Sequence, residues 1–477
     1  MDQLDKIYYV NIGPHGTFSP SGNPEIDSTP ADVDNIFDHL KNQKTSRIVL
    51  YFHGGLVNQI AGMTVASRVQ QYVTSQTNAH PISFIWETGL AETISQNLQS
   101  INRTQLFKKL LEKVVKFAGD KLGLKATTVT GSRAVSNLSD QEIRNELSTE
   151  APFENYDIDE QRLSSPTNRS ANEFILQQQL ETALKDELDK DEEFRKALQD
   201  QKGSTSRGPL TWIKMLKTIA TIIIRVIKRH RQKTEHGFYP TTVEEVLREF
   251  YIADLGSWLW AGMKDKASDM WKPNAGLSSD DQHAGTYLLQ KLTEYARDNQ
   301  DLTIDLVGHS AGSIAICHLI KKIAADNPPL KIRNIIFMAP ACRCELFSDT
   351  ILKNPSSYQS FRMFTMSDEW EKKDRLVPVI YTRSLLYLVS GILEDKGDHP
   401  DAWILGLERY ICGGVPYGGE EILAGIQKYI SGEDHRVVYS VTKDDATDGL
   451  RSTAKKHGDF DNDGEATMNS IMYLLKQ

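Results

Sequence analysis

Cysteine is scarce in this chain. Cys317, Cys342, Cys344 and Cys412 are the only four in 477 residues, too few for a disulfide framework. Cys342 and Cys344 stand one residue apart, too close for a relaxed bridge and not a zinc spacing. Together they read as reduced thiols of a cytoplasmic protein. Positive charge is also in deficit. Lys and Arg number 55 against 64 Asp and Glu, for a net charge of −9 and a pI near 5.8. General nucleic-acid binding needs a basic footprint and is excluded on that ground. The opening MDQLDKIYYVNI has no basic segment followed by an apolar one, so no secretory leader is expected. Long apolar runs are missing too. In the most apolar helical stretch, Lys217 and Arg225 bracket only seven residues, where a bilayer requires roughly 20. No internal repeat is visible.

What is present describes a soluble globular protein, with 39% hydrophobic and 25% charged residues. The length suits one large α/β domain with insertions, or a domain plus a cap. KIYYVNI (6–12), RIVLYFHGG (47–55) and ISFIWET (82–88) read as strands from their β-branched and aromatic residues. Between them DSTPADVDNIFDHLKNQ opens a helix, with Thr29 suited to the N-cap, Pro30 to the first turn and Asp32 to the positive end of the dipole. LQSINRTQLFKKLLEKVVKFAGDKLG reads as one long amphipathic helix.

From about Ala126 strand signals vanish, and they resume at Leu302. Leu176, Leu180, Leu184 and Leu188 recur every four residues among charges, which predicts a surface helix with one buried stripe. We therefore expect residues 126–275 to form a helical insertion or cap between two halves of an α/β core, 1–125 and 276–477. Within it, 209–233 predicts a basic helix. Lys214, Lys217, Thr221, Arg225 and Lys228 line one face, and Ile213, Leu216, Ala220, Ile223 and Ile227 the opposite one. Such a helix either buries its stripe on the core, the reading we favour, or touches an anionic membrane surface peripherally. The acidic helical insertion is also a candidate surface for a protein partner. Trp258 and Trp260 read as core or as pocket lining.

The chemistry concentrates in DLTIDLVGHSAGSIAICHLI, residues 301–320. G-x-S-x-G alone is weak. With Gly and Ser each near 7% of residues, chance supplies about 0.15 per chain of this length. Here, however, it ends an apolar strand (Leu302 to Val307) and opens a helix (Ile314 to Ala324), as a nucleophile elbow requires. Gly308 and Gly312 would give room where strand and helix crowd, and Ser310 would stand exposed to substrate on a strained corner. A serine needs a base, and an elbow of this kind demands an acid and then a histidine further along. Asp368, just past the strand Phe361 to Met366, is the chosen acid, with Glu369, Glu371 and Asp374 as competitors. Of the twelve histidines, His457 alone lies between the last strand, RVVYSVT, and the closing helix, GEATMNSIMYLLKQ. Oxyanion donors would be the Ala311 amide and one of Gly54, Gly55 or Leu56 in the H-G-G loop. The D-x-D-x-D-G run from Asp459 to Gly464 lacks the carboxylate a calcium loop needs at its twelfth position, which is Ser470, so it reads as an Asx-rich turn.

FHGG at 52–55, GHSAG at 308–312, SD at 367–368 and His457 resemble the α/β-hydrolase superfamily in motif and order. FIWE and FMAPA add a likeness to an uncharacterised bacterial branch of lipase- and esterase-like hydrolases. The resemblance covers roughly 45–120, 280–390 and 430–477. It implies a mostly parallel sheet of about eight strands flanked by helices, with Ser310 as nucleophile, His457 as general base and acid, and Asp368 as the orienting acid. It implies hydrolysis of carboxylic esters, lipid esters among them, without metal or organic cofactor. A peptidase or amidase on the same triad, and a partner-regulated effector or scaffold with little turnover, are the alternatives. With an ordinary histidine as base, activity should fall as the pH drops below about 6.5.

Overall fold

The computed structural model describes residues 4–55, 58–86, 89–127, 138–164, 173–201, 212–394, 399, 401–432, 435–462 and 466–477. The chain divides into two compact units. One comprises Met1–Thr93, Trp258–Asp374 and Ala402–Gln477, the other Ile94–Ser257 and Arg375–Asp401.

The first unit is built on a sheet of seven strands: β1 (Tyr9–Ile12), β2 (Arg47–Phe52), β3 (His80–Trp86), β4 (Thr303–His309), β5 (Ile332–Met338), β6 (Ser360–Met366) and β7 (Val437–Ser440). Their order is β1-β3-β2-β4-β5-β6-β7, and every neighbouring pair is parallel. A parallel sheet is covered on both faces, so its strands read as continuous apolar runs. β3 is buried at every position, and β2 at all but its first. One layer of core joins Val49, Tyr51, Val307, Ile336 and Phe364 of the sheet to Met468, Ile471, Met472 and Leu475 of the closing helix Ala466–Lys476. The helix Pro30–Gln43 starts with a full capping box, Thr29 and Asp32 each satisfying the other's backbone N–H.

Strand order positions the site. β3 and β1 lie on one side of β2, while β4 to β7 follow on the other, so the order reverses between β2 and β4. Loops leaving two such strands diverge and open a crevice beyond their carboxyl ends. The loop after β2 carries H-G-G and the loop after β4 carries the G-H-S-A-G serine.

In the second unit the helix Trp212–Gln232 packs against Gln105–Leu122, Glu173–Leu188 and Phe238–Phe250. Leu176, Leu180, Leu184 and Leu188 are all buried, as their spacing predicts. Leu216, Ala220, Ile223 and Ile227 are buried too, whereas Ile213 is exposed. The helical stretch expected from Leu98 to Gly123 is interrupted. One helix ends at Arg103 and the next starts at Gln105, because the Thr104 hydroxyl accepts the N–H of Phe107 and caps a new start. Composition marks 126–275 as helical; the compact helical unit spans 94–257 and takes in 375–401. Among the described residues no helix is long and apolar enough to cross a membrane.

Candidate active site

At the end of β4 the chain turns on Ser310, whose φ of +50° lies in the left-handed region. Serine adopts it only when its surroundings over-determine it. Here the Ser310 N–H donates to the Met338 carbonyl at 2.8 Å, and the Ser310 carbonyl accepts from the N–H of Ala341 and the hydroxyl of Ser313. Both glycines are required. A Cβ on Gly308 would stand 2.7 Å from Ile316 Cδ1, and one on Gly312 would run into the Phe52 carbonyl at the end of β2. Ala311 then leads into the helix Gly312–Asp326, where first-turn N–H groups lack intrahelical partners. Ser310 is only 1% exposed, so the hydroxyl expected at an open edge is covered.

The H-G-G loop lies directly against this corner. A Cβ on Gly54 would be 3.3 Å from Ser310 Cβ, and one on Gly55 would be 2.9 Å from Ala311 Cβ. Gly54, Gly55 and Ala311 are thus brought beside the serine; Leu56 lies outside the described residues. His53 pins the loop. Its Nε2 accepts the Trp86 N–H at 3.1 Å, which leaves the proton on Nδ1 to donate to the Gly54 carbonyl at 2.6 Å. Burial lowers the His53 pKa to about 4, so this neutral tautomer persists.

His457 arrives from the loop after β7. Its Nε2 is 2.9 Å from Ser310 Oγ, and its ring is 4% exposed. Burial first, and the neighbouring His309 second, lower its pKa to about 3. The expected loss of activity below the ordinary histidine range therefore moves to lower pH. Among the described residues the His457 Nδ1 has no hydrogen-bond partner, so Asp368 is not bonded to it. Asp368 opens the short helix Asp368–Lys373 and pairs with Lys372 at 2.6 Å. Asp374, at the other end of that helix, accepts the backbone N–H of His457 at 2.8 Å, and burial raises its pKa.

Three further groups escaped the sequence reading. His309 bridges the Asp461 carboxylate and the His457 carbonyl, and Tyr51 donates to Asp461 Oδ2 at 2.8 Å. Asp461 falls in the acidic run read as a turn. Asp459 does act as one, accepting the N–H groups of Lys455 and Lys456 at 3.0 Å each. In the helical unit, His236, Glu244 and Asp401 are the one cluster of metal-ligand type among the described residues, with ligand atoms within 4.8 Å of one another. Arg229 already pairs with Glu244 and Asp401 at 2.7 Å each, so the cluster reads as a buried ion network.

A family of alpha/beta hydrolases of unknown function (DUF900) matches residues 279–371, from the helix before β4 to the helix after β6. No curated protein and no solved structure matches the chain. The matched segment carries the elbow, and the parallel sheet places that elbow at the reversal of strand order. Over that segment the chain is similar to alpha/beta hydrolases, and its parallel sheet has the α/β-hydrolase architecture, which together support a hydrolase in general.

Proposed function

We propose that this hydrolase cleaves carboxylic esters, lipid esters among them, through a Ser310–His457 pair and an acyl-enzyme intermediate. The observation that carries the reading is the 2.9 Å contact between His457 Nε2 and a Ser310 held at φ +50°. A serine hydroxyl is a weak nucleophile until a base takes its proton, and a neutral imidazole within hydrogen-bond reach is that base. Ser310 Oγ attacks the carbonyl carbon while His457 Nε2 takes the proton. The carbonyl oxygen gains charge facing the Ala311 amide and the Gly54–Gly55 loop. His457 then protonates the leaving alkoxide, and water repeats the cycle to release the acid. For the orienting acid we favour Asp374 over Asp368, since Asp374 already lies on the His457 backbone. The cytoplasm is the compartment that suits four free cysteines.

A fluorophosphonate probe tests the reading. Wild type should be labelled and Ser310→Ala should not, with loss of all aryl-ester turnover in the same variant. A panel from acetyl to long-acyl aryl esters then sizes the acyl pocket. Folded wild-type protein that resists the probe, or a Ser310→Ala variant that still labels, would sink the proposal.

A further inference from the structure

His309, the residue before the nucleophile, meets an acceptor at each ring nitrogen. Nδ1 is 3.2 Å from Asp461 Oδ2, and Nε2 is 3.0 Å from the His457 carbonyl oxygen. A carbonyl has no proton to give. Asp461 has none either: burial pushes its pKa up, but the His309 ring and the Tyr51 hydroxyl outweigh that and hold it at about 2. A neutral imidazole owns one N–H and would leave the other nitrogen lone pair to lone pair with an acceptor, in a ring only 5% exposed. The imidazolium donates to both.

The other charged and titratable groups around the ring fit that state. From β2, Tyr51 donates to the same Asp461 oxygen. From the helix Gln59–Gln76, the Arg68 guanidinium takes the Asp461 backbone carbonyl and leaves the carboxylate to His309. From the H-G-G loop, His53 is kept neutral by burial. From the last loop comes His457 itself, its ring centroid 5.4 Å from that of His309 and the planes inclined by 30°.

We propose that His309 is a positioning residue of this site, held as an imidazolium between Asp461 and the His457 carbonyl, and that its charge keeps the adjacent His457 imidazole neutral and able to take the Ser310 proton. The inference rests on the reading of Ser310 and His457 as the catalytic pair. Like charges at this distance disfavour each other, so the second imidazole resists protonation. The pKa directions agree. Burial pulls His309 down but Asp461 outweighs it and the net shift is upward, while His457 is lowered. The carbonyl contact also ties the His457 loop to the elbow that carries the nucleophile.

The test compares the pH dependence of fluorophosphonate labelling in wild type and His309→Gln. Glutamine still donates to the His457 carbonyl but carries no charge. Wild-type labelling should change less than twofold between pH 8 and pH 5.5. In His309→Gln the acid limb should move up toward the ordinary histidine range, so that the same drop in pH cuts labelling about tenfold. Equal profiles in the two proteins would overturn the electrostatic role. A second readout needs no turnover: ¹⁵N-histidine NMR of wild-type protein at pH 7, with the His309 signals identified by their loss in His309→Gln or, should that variant not fold, by their change in Asp461→Asn. Both His309 nitrogens should carry protons. A singly protonated ring would overturn the proposal even if Ser310 labels normally. A doubly protonated ring in a protein that never labels would instead count against Ser310 and His457 as a catalytic pair.

Discussion

Two aspartates at opposite ends of one short helix compete to serve His457. Asp368 sits in the first turn, where a carboxylate is favoured by the helix dipole and already has Lys372 as partner. Asp374 sits past the last turn, half-buried, with its Oδ2 on the His457 amide. A carboxylate that orients imidazolium must be close to it, and Asp374, already bonded to the His457 amide, is the better placed of the two. Asp374→Asn should cut kcat for aryl esters by about 10³- to 10⁴-fold, the scale of losing an orienting acid. Asp368→Asn should stay within about threefold of wild type. Stopped-flow rates on the two variants decide it, and the reverse pattern would return the role to Asp368.

Helices of the second unit are joined by charge as well as by apolar packing. Arg229 of Trp212–Gln232 is 3% exposed and pairs with Glu244 and Asp401 at 2.7 Å and with Glu245 at 3.3 Å. His236 and Tyr381 each approach Glu244 Oε1 to 2.7 Å. Breaking a buried pair costs more than the pair contributes, because the remaining charge has lost both its partner and its water. Arg229→Met should therefore destabilise the protein by about 3–5 kcal/mol in urea unfolding. Adding Glu244→Gln and Asp401→Asn should recover part of that loss. A single variant as stable as wild type would show that the network is not what holds these helices together.

The leucine stripe at 176–188 and the elbow at 308–312 were legible because their physics is local: a helical period in one case, two crowded glycines around a strained serine in the other. The approach of His457 to Ser310 was legible because chain order restricts which histidine can reach such an elbow. Arg229 was not, since its partner Asp401 is 172 residues away and no local spacing encodes the pairing. His309 and Asp461 escaped for the same reason, being 152 residues apart, while Asp374 was named only as one of several carboxylates following the same strand. The end of the helix at Arg103 had a local cause in Thr104, a capping residue set in an otherwise good amphipathic run.

At the scale of the whole molecule, buried neutral histidines set the response to acid. His53 and His318 have pKa values lowered to about 4, and His457 and His230 to about 3, by burial in each case. The unfolded chain protonates its histidines near 6.5. Between about pH 6.5 and 4 the unfolded state thus binds more protons than the folded one, and stability falls as pH falls. For His53 alone the shift corresponds to roughly 3 kcal/mol by pH 4. The lowered carboxylates Glu244 and Asp461, both near 2, withdraw their contribution only below about pH 4. His309, with a raised pKa, acts in the opposite sense, and one such group does not offset four. The summed loss rivals the roughly 5–15 kcal/mol that stabilises a typical domain. The fold should therefore fail before His457 itself is protonated, and the acid limit of activity should be an unfolding limit. Urea midpoints measured at pH 7, 5.5 and 4.5 should decline at each step, with His230→Phe flattening the decline. Midpoints constant over that range would mean that these histidines are charged, or exposed, in the folded protein.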